Sequence, residues 1–143
     1  ILAITNNINV ANILRTHPQN EVIIASGVVR RSDGGIVGDA AVEFIRRFKV
    51  DYAVIGVSAI EPDGDLMDYD YREVSVARTI MECARKVILV ADSTKWERAA
   101  RVRIASMEAV DVFVTDHLPD AAARRMLAEA GVETVEAREI QAA

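Results

Sequence analysis

The stretch 51-DYAVIGVS-58 is apolar almost throughout, rich in Val and Ile, and does not alternate strictly between apolar and polar residues. Continuous apolar runs of this length suit strands buried on both faces, as in a parallel sheet. Five more bursts share its character: 1-ILAIT-5, 21-EVIIAS-26, 86-KVILVA-91, 111-DVFVT-115 and 132-VETVE-136. Helical periods lie between them. In 40–48, Ala41, Phe44, Ile45 and Phe48 make one apolar stripe, and in 71–85 Val74, Ala77, Ile80, Met81 and Ala84 make another. The segment 119–130 places Pro119 at a first helical position and Gly131 just past the end. The segment 6–15 is a shorter helix with Ile8, Ala11 and Leu14 as its stripe. Strand–helix–strand repetition implies right-handed crossovers and an α/β fold with an open, mainly parallel, doubly wound sheet.

The chain has 143 residues, 51% of them apolar and 27% charged. That is an ordinary globular composition and one domain's length. No apolar run approaches the length of a transmembrane helix. A net charge of −5 argues against nucleic-acid binding by these residues, since phosphate contacts need a basic face. The lone Cys83 rules out an internal disulfide and fits a reducing compartment, so a cytoplasmic location is expected. Two histidines and one cysteine, far apart, have no zinc spacing, and neither a metal nor a cofactor is expected.

Two stretches break the strand–helix pattern, and both follow a strand directly. In α/β sheets the carboxyl edge is where ligands bind. Residues 27–38 (GVVRRSDGGIVG) contain Gly27, Gly34, Gly35 and Gly38, a spacing that matches neither GxGxxG nor the P-loop. They form either an anion-approaching loop or a hairpin with two turns. Arg30 offers a guanidinium fork for phosphate or carboxylate; Arg31 reads as solvated charge. Residues 59–73 (AIEPDGDLMDYDYRE) carry a Pro-Asp-Gly turn that closes a small hairpin. There Asp70 and Glu73 have the spacing of a capping box, and Glu73 stands where it also faces a ligand hydroxyl.

Lys95 in 92-DSTK-95 is either a point charge for an anion or a surface lysine after an Asp-initiated turn. Asn6 and Asn7 follow the first strand and either cap the helix or present amides to a ligand. His17 and His117 read as loop residues, and Tyr69, Tyr71 and Trp96 as pocket lining at most. No nucleophile elbow is present.

In combination, TNNINVAN (5–12), SGVVRRSDGGIVG (26–38), IGVSAIEPDGDLMDYDYREVSVARTI (55–80), VILVADSTKW (87–96) and VDVFVTD (110–116) resemble the C-terminal sensor domain of DeoR-type transcriptional regulators. The DGGIVG and D-Y-x-E-V stretches look most like members that govern glycerol-3-phosphate genes. The resemblance implies a Rossmann-like fold related to ribose-5-phosphate isomerase, glucosamine-6-phosphate deaminase and CoA-transferases. It implies no catalysis, a phosphorylated sugar or polyol as effector (glycerol 3-phosphate first), homo-oligomerisation, and operator DNA bound through a winged helix-turn-helix domain outside this sequence.

Position by position, it places Asn6, Gly27, Arg30, Gly56, Ser58, Glu73 and Lys95 at the ligand. Lys95 and Arg30 would attract the phosphate, and Glu73 and Ser58 would bond hydroxyls. Three departures stand out. Ser26 replaces the first glycine of a usual pair, Trp96 replaces a common Phe, and Ser58 stands where related isomerases place Asp. Losing that carboxylate removes a candidate acid/base and weakens the alternative, a sugar-phosphate isomerase or deaminase. The family's D-x-G-T-T phosphate loop and its strand–helix unit precede the equivalent of Ile1, so residues 1–143 are expected to be a sensing domain without its first unit.

Overall fold

The computed structural model describes residues 1–137. Leu2–Thr5 (β1) and Glu21–Ile24 (β2) pair in parallel, with Ile8–Leu14 (α1) as the crossover between them. Val28–Val29 (β3) and Ile36–Val37 (β4) form an antiparallel hairpin, and Asp39–Ile45 (α2) follows. Val50–Ile55 (β5) leads through Ala59–Ile60 (β6) and Asp65–Asp68 (β7) into Tyr71–Glu82 (α3) and Ala84–Val90 (β8). A 3-10 turn, Ser93–Glu97, precedes Val102–Ser106 (β9). After it come Val112–Thr115 (β10), Ala121–Glu129 (α4) and Glu133–Glu136 (β11).

The central sheet is parallel, in the order β11-β10-β8-β5. One face of it is the main core. Ala53, Ile55, Val87, Leu89 and Phe113 pack there with Val74 of α3 and Leu127 of α4. Each strand–helix–strand unit steps the same way along the sheet, so right-handed crossover puts both helices on this one face. The expected α/β class and mainly parallel sheet are present. The six expected strands, however, divide: β1 and β2 form a separate two-stranded parallel sheet.

α3 buries more than its expected stripe. Val74 belongs to the main core, while Val76 joins Ala25, Ile36, Ala41 and Ile45 in a second one. The helix is therefore a wall with α2 on one side and the sheet on the other. Thr79 is buried with them at no polar cost, because its hydroxyl donates to the Ser75 carbonyl at 2.8 Å.

Several boundaries differ from expectation. α3 stops at Glu82, with Cys83 as its cap, because β8 already begins at Ala84. Pro119 lies outside α4. Asp120 is the N-cap, its side chain accepting from Ala123 N at 2.8 Å, and Gly131 takes φ +75° just past the other end. The Pro62-Asp63-Gly64 turn does close a hairpin, β6–β7, with Gly64 at φ +94°. β9 joins it antiparallel, making a three-stranded sheet β6-β7-β9 that the sequence reading did not contain.

Candidate functional site

The 27–38 stretch is a hairpin, and its loop is tied to the start of α1. Ile8 N donates to Gly34 O at 3.0 Å, and the amides of Asn7 and Asn9 both donate to Asp33 O at 3.1 Å. Asn7, not Asn6, caps α1, accepting from Asn9 N and Val10 N. Asn6 instead donates to Ile36 O at 3.2 Å, which fixes its amide beside β4.

This anchoring holds Arg30 at the centre of an acidic cluster. Its Nε donates to Asp33 Oδ1 at 3.2 Å, and its Nη2 pairs with Asp33 Oδ2. Nη1 donates to Asp70 Oδ2 at 3.4 Å, and Nη2 stands 3.8 Å from Glu73 Oε2. Asp33 in turn accepts from Gly35 N at 2.9 Å. Gly35 is buried, and a Cβ there would lie 3.3 Å from Glu73 Oε2 and 3.1 Å from Asp33 Oδ1. A small residue is what lets the loop close over the cluster.

Asp70 is the N-cap of α3, accepting from Arg72 N at 2.8 Å. The reciprocal half of a capping box is missing. Glu73 points into the cluster, and its Oε2 is buried and accepts no hydrogen bond. Burial raises its pKa; Arg30 and the Asn6 amide oppose that, while Asp33 and Asp68 add to it. The bonds from Arg72 hold Asp70 the other way, at about 2.

Ser58 follows β5 and its hydroxyl donates to Asp68 Oδ1 at 3.0 Å, which brings a second carboxylate towards Glu73. Gly56 is exposed, and a Cβ on it would meet only Val90 O, at 3.8 Å, so nothing steric requires glycine there. Gly27 is different. At φ +146° a Cβ would lie 2.6 Å from Val37 O and 2.9 Å from Ile36 Cγ2, so this glycine serves the packing of the hairpin base.

Lys95 lies on the 3-10 turn after β8, half-buried, and among the described residues it forms no ion pair. Asp92 caps that turn by accepting from Thr94 N, and Asp116 braces it by accepting from Ser93 N, both at 2.8 Å. Trp96 fixes the turn to the core, its ring edge-on to Phe113 at 6.2 Å.

Asn6, Arg30 and Glu73 thus form one cluster with Ser58 close by. Among the described residues no hydrogen bond or ion pair joins Lys95 to it, although β5 and β8 are neighbours and both lead to this edge. The sequence reading named Gly35 only as one of the loop glycines and missed Asp33 and Asp68. The signal for Asp33 was its place three residues after Arg30 in a glycine-rich loop. Asp68 had no such signal, because its partner Ser58 sits across the hairpin. A groove of about 540 Å³ between α2 and α3 is lined by Asp39, Glu43, Arg46 and Arg78 among others and contains none of the expected site residues.

Residues 1–117 match the family model of the DeoR C terminal sensor domain. The chain is 44% identical over 117 residues to the glycerol-3-phosphate regulon repressor of Haemophilus influenzae, covering 82% of this chain and 46% of that one. It is 40% identical over 126 residues to the glycerol-3-phosphate regulon repressor of Escherichia coli, covering 88% and 50%. It is 41% identical over 132 residues to the HTH-type transcriptional repressor CsqR of Escherichia coli, covering 92% and 51%. The chain spans about half the length of these relatives. They are repressors, not enzymes, and nothing among them supports the isomerase or deaminase alternative. No helix among the described residues is long and apolar enough to cross a membrane. The chain belongs to the DeoR C-terminal sensor domain family.

Proposed function

We propose that this domain binds a phosphorylated polyol, with glycerol 3-phosphate as the first candidate, and that binding lowers the operator affinity of a cytoplasmic, oligomeric repressor. The DNA contact belongs to a winged helix-turn-helix domain outside residues 1–143. Two relatives named as glycerol-3-phosphate regulon repressors support the choice of effector.

One observation carries the ligand reading. Glu73 Oε2 is a buried acceptor with no donor. Such an atom is costly to leave unsatisfied, and a ligand hydroxyl is the group that satisfies it. The same cluster sets the ligand's direction. Arg30 is already engaged by Asp33, Asp70 and Glu73, so three carboxylates surround one guanidinium. A phosphate there meets net negative charge, whereas hydroxyls donate to carboxylates. The polyol end therefore belongs at Glu73 and Asp68, with Asn6 and Ser58 beside them. The phosphate belongs towards Lys95, which forms no ion pair among the described residues. Arg30 holds Glu73 and Asp33 in place and does not itself grip the phosphate.

The mechanism is linkage: the effector favours one arrangement of the oligomer, and that arrangement holds DNA less tightly. Operator affinity of the full-length protein, measured by fluorescence anisotropy with and without glycerol 3-phosphate, tests this. A loss of about fivefold or more is expected. Unchanged affinity, together with no binding heat for glycerol 3-phosphate, removes the reading.

A further inference from the structure

Glu73 Oε2 has a counterpart. Among the described residues one other buried side-chain polar atom lacks a hydrogen-bond partner, the indole Nε1 of Trp96. The two atoms are opposite in kind. The carboxylate oxygen lacks a donor, whereas the indole N–H can only donate and lacks an acceptor. Buried polar groups are paired as a rule, so each orphan calls for a group that supplies the missing half of the bond.

The 3-10 turn that carries Trp96 has spent its own acceptors. Two carboxylates brace its start, and both are engaged. Asp92 accepts from the Thr94 backbone N and hydroxyl, and Asp116 from the Ser93 backbone N and hydroxyl. The indole is held in place by the fully buried Phe113, edge-on at 6.2 Å. Lys95, the residue before it, forms no ion pair among the described residues. One short turn therefore presents two unsatisfied donors in succession, an ammonium and an indole N–H. Successive side chains diverge on such a turn, but the flexible four-carbon stem of Lys95 can bring its charge round to the indole. A phosphate group offers three strong acceptor oxygens, enough to accept from both at once.

The turn also lies on the way to the Glu73 cluster. It packs against β6. That strand begins directly after Ser58, whose hydroxyl donates to Asp68, and Asp68 acts on Glu73. The orphan donor and the orphan acceptor are thus linked through the two groups set beside the polyol. Nε1 is closed to solvent, so a phosphate reaches it by a local opening of the turn. The hydrogen bonds from Ser93 and Thr94 that brace this turn are exposed, and such bonds open locally at small cost.

Resting on the proposed function, we infer that Trp96 Nε1 donates to a phosphate oxygen of the effector beside Lys95. Trp96 is then a specificity-determining residue, through which the domain selects a phosphorylated polyol over the free one. A single ligand with a hydroxyl at one end and a phosphate at the other satisfies both orphaned atoms.

Trp96→Phe in the full-length protein tests this, because it keeps an aromatic ring against Phe113 and removes the N–H. Calorimetric titration is expected to show an affinity for glycerol 3-phosphate about tenfold or more below that of the wild type. Equal affinities overturn the inference and leave the proposed function standing, whereas no binding by the wild type removes both. The wild-type protein gives a second reading that does not depend on how the variant folds. Trp96 is the one tryptophan in residues 1–143. Its indole N–H resonance is expected to move downfield when glycerol 3-phosphate is added, because the donor gains a charged acceptor, and to stay in place with glycerol. A resonance that stays in place with both, or moves equally with glycerol, overturns the inference.

Discussion

Arg30 Nη2 lies 3.8 Å from Glu73 Oε2, an oxygen that is buried and accepts no hydrogen bond. The pair joins the hairpin loop to the first turn of α3, yet it leaves the carboxylate incompletely satisfied. Burial raises the Glu73 pKa despite the guanidinium, so the folded protein bears a cost for keeping it ionised.

Glu73→Gln should therefore separate stability from function. The amide removes the buried charge, while Arg30 keeps Asp33 and Asp70 as partners. We expect Tm at pH 7.5 to stay level or rise by about 1–3 °C. Affinity for glycerol 3-phosphate should fall about tenfold or more, since a charged acceptor is lost. A fall in Tm with unchanged affinity would make Glu73 a structural residue only.

The pH dependence has two opposite parts. Asp70 and Asp116 are both held at about 2, each by hydrogen bonds to its carboxylate. A lowered folded-state pKa stabilises above the ordinary carboxylate value, and this is lost as pH falls towards 2. Glu73 is raised, so between its ordinary value and its folded one the native state binds more protons. Its contribution declines as pH rises through that window. Thermal unfolding of wild type against Glu73→Gln should show the curves diverging above the ordinary glutamate range. The wild type should be relatively weaker at the higher pH, and parallel curves would contradict the assignment.

Gly27→Ala should destabilise far more than Gly38→Ala. Both glycines have positive φ, +146° and +108°. A Cβ at Gly27 meets Val37 O at 2.6 Å, whereas at Gly38 it meets nothing within 4 Å. The first change adds a clash with backbone to the conformational cost, giving about 2–4 kcal/mol in all; the second costs about 1 kcal/mol. Urea unfolding of the two variants measures the difference, and equal losses would mean that φ alone governs both positions.

These cases show what the sequence could carry. The apolar runs named β1, β2, β5, β8, β10 and β11, because a strand buried on one or both faces leaves a local mark. β9 left none: 102-VRIAS-106 has too little apolar continuity, and it pairs with β7 only because the Pro62–Gly64 turn brings that hairpin round. The site divides in the same way. Glu73 and Arg30 were legible from local pattern and resemblance. The engagement of Arg30 by Asp70, forty residues away in sequence, was not, because it depends on how the hairpin docks on α3. That long-range contact is the reason the proposed phosphate site is Lys95 and not Arg30.

Lys95 is where that reassignment is tested. Its turn is held to the core by Trp96 against Phe113, which is fully buried. Lys95→Ala leaves those contacts alone, so Tm should change by no more than about 1 °C. Affinity for glycerol 3-phosphate should fall about tenfold or more, with a weaker salt dependence than the wild type, because a charge-assisted contact is lost. Arg30→Ala removes a structural hub instead: Asp33, Asp70 and Glu73 lose their common partner, and Tm should fall by several degrees, roughly 4 °C or more. Calorimetric titration and thermal unfolding of both full-length variants decide between the two cations. If Lys95→Ala binds glycerol 3-phosphate as the wild type does, and Arg30→Ala keeps its Tm but not its binding, then Arg30 is the phosphate ligand and the effector lies the other way round, with its polyol end towards Lys95.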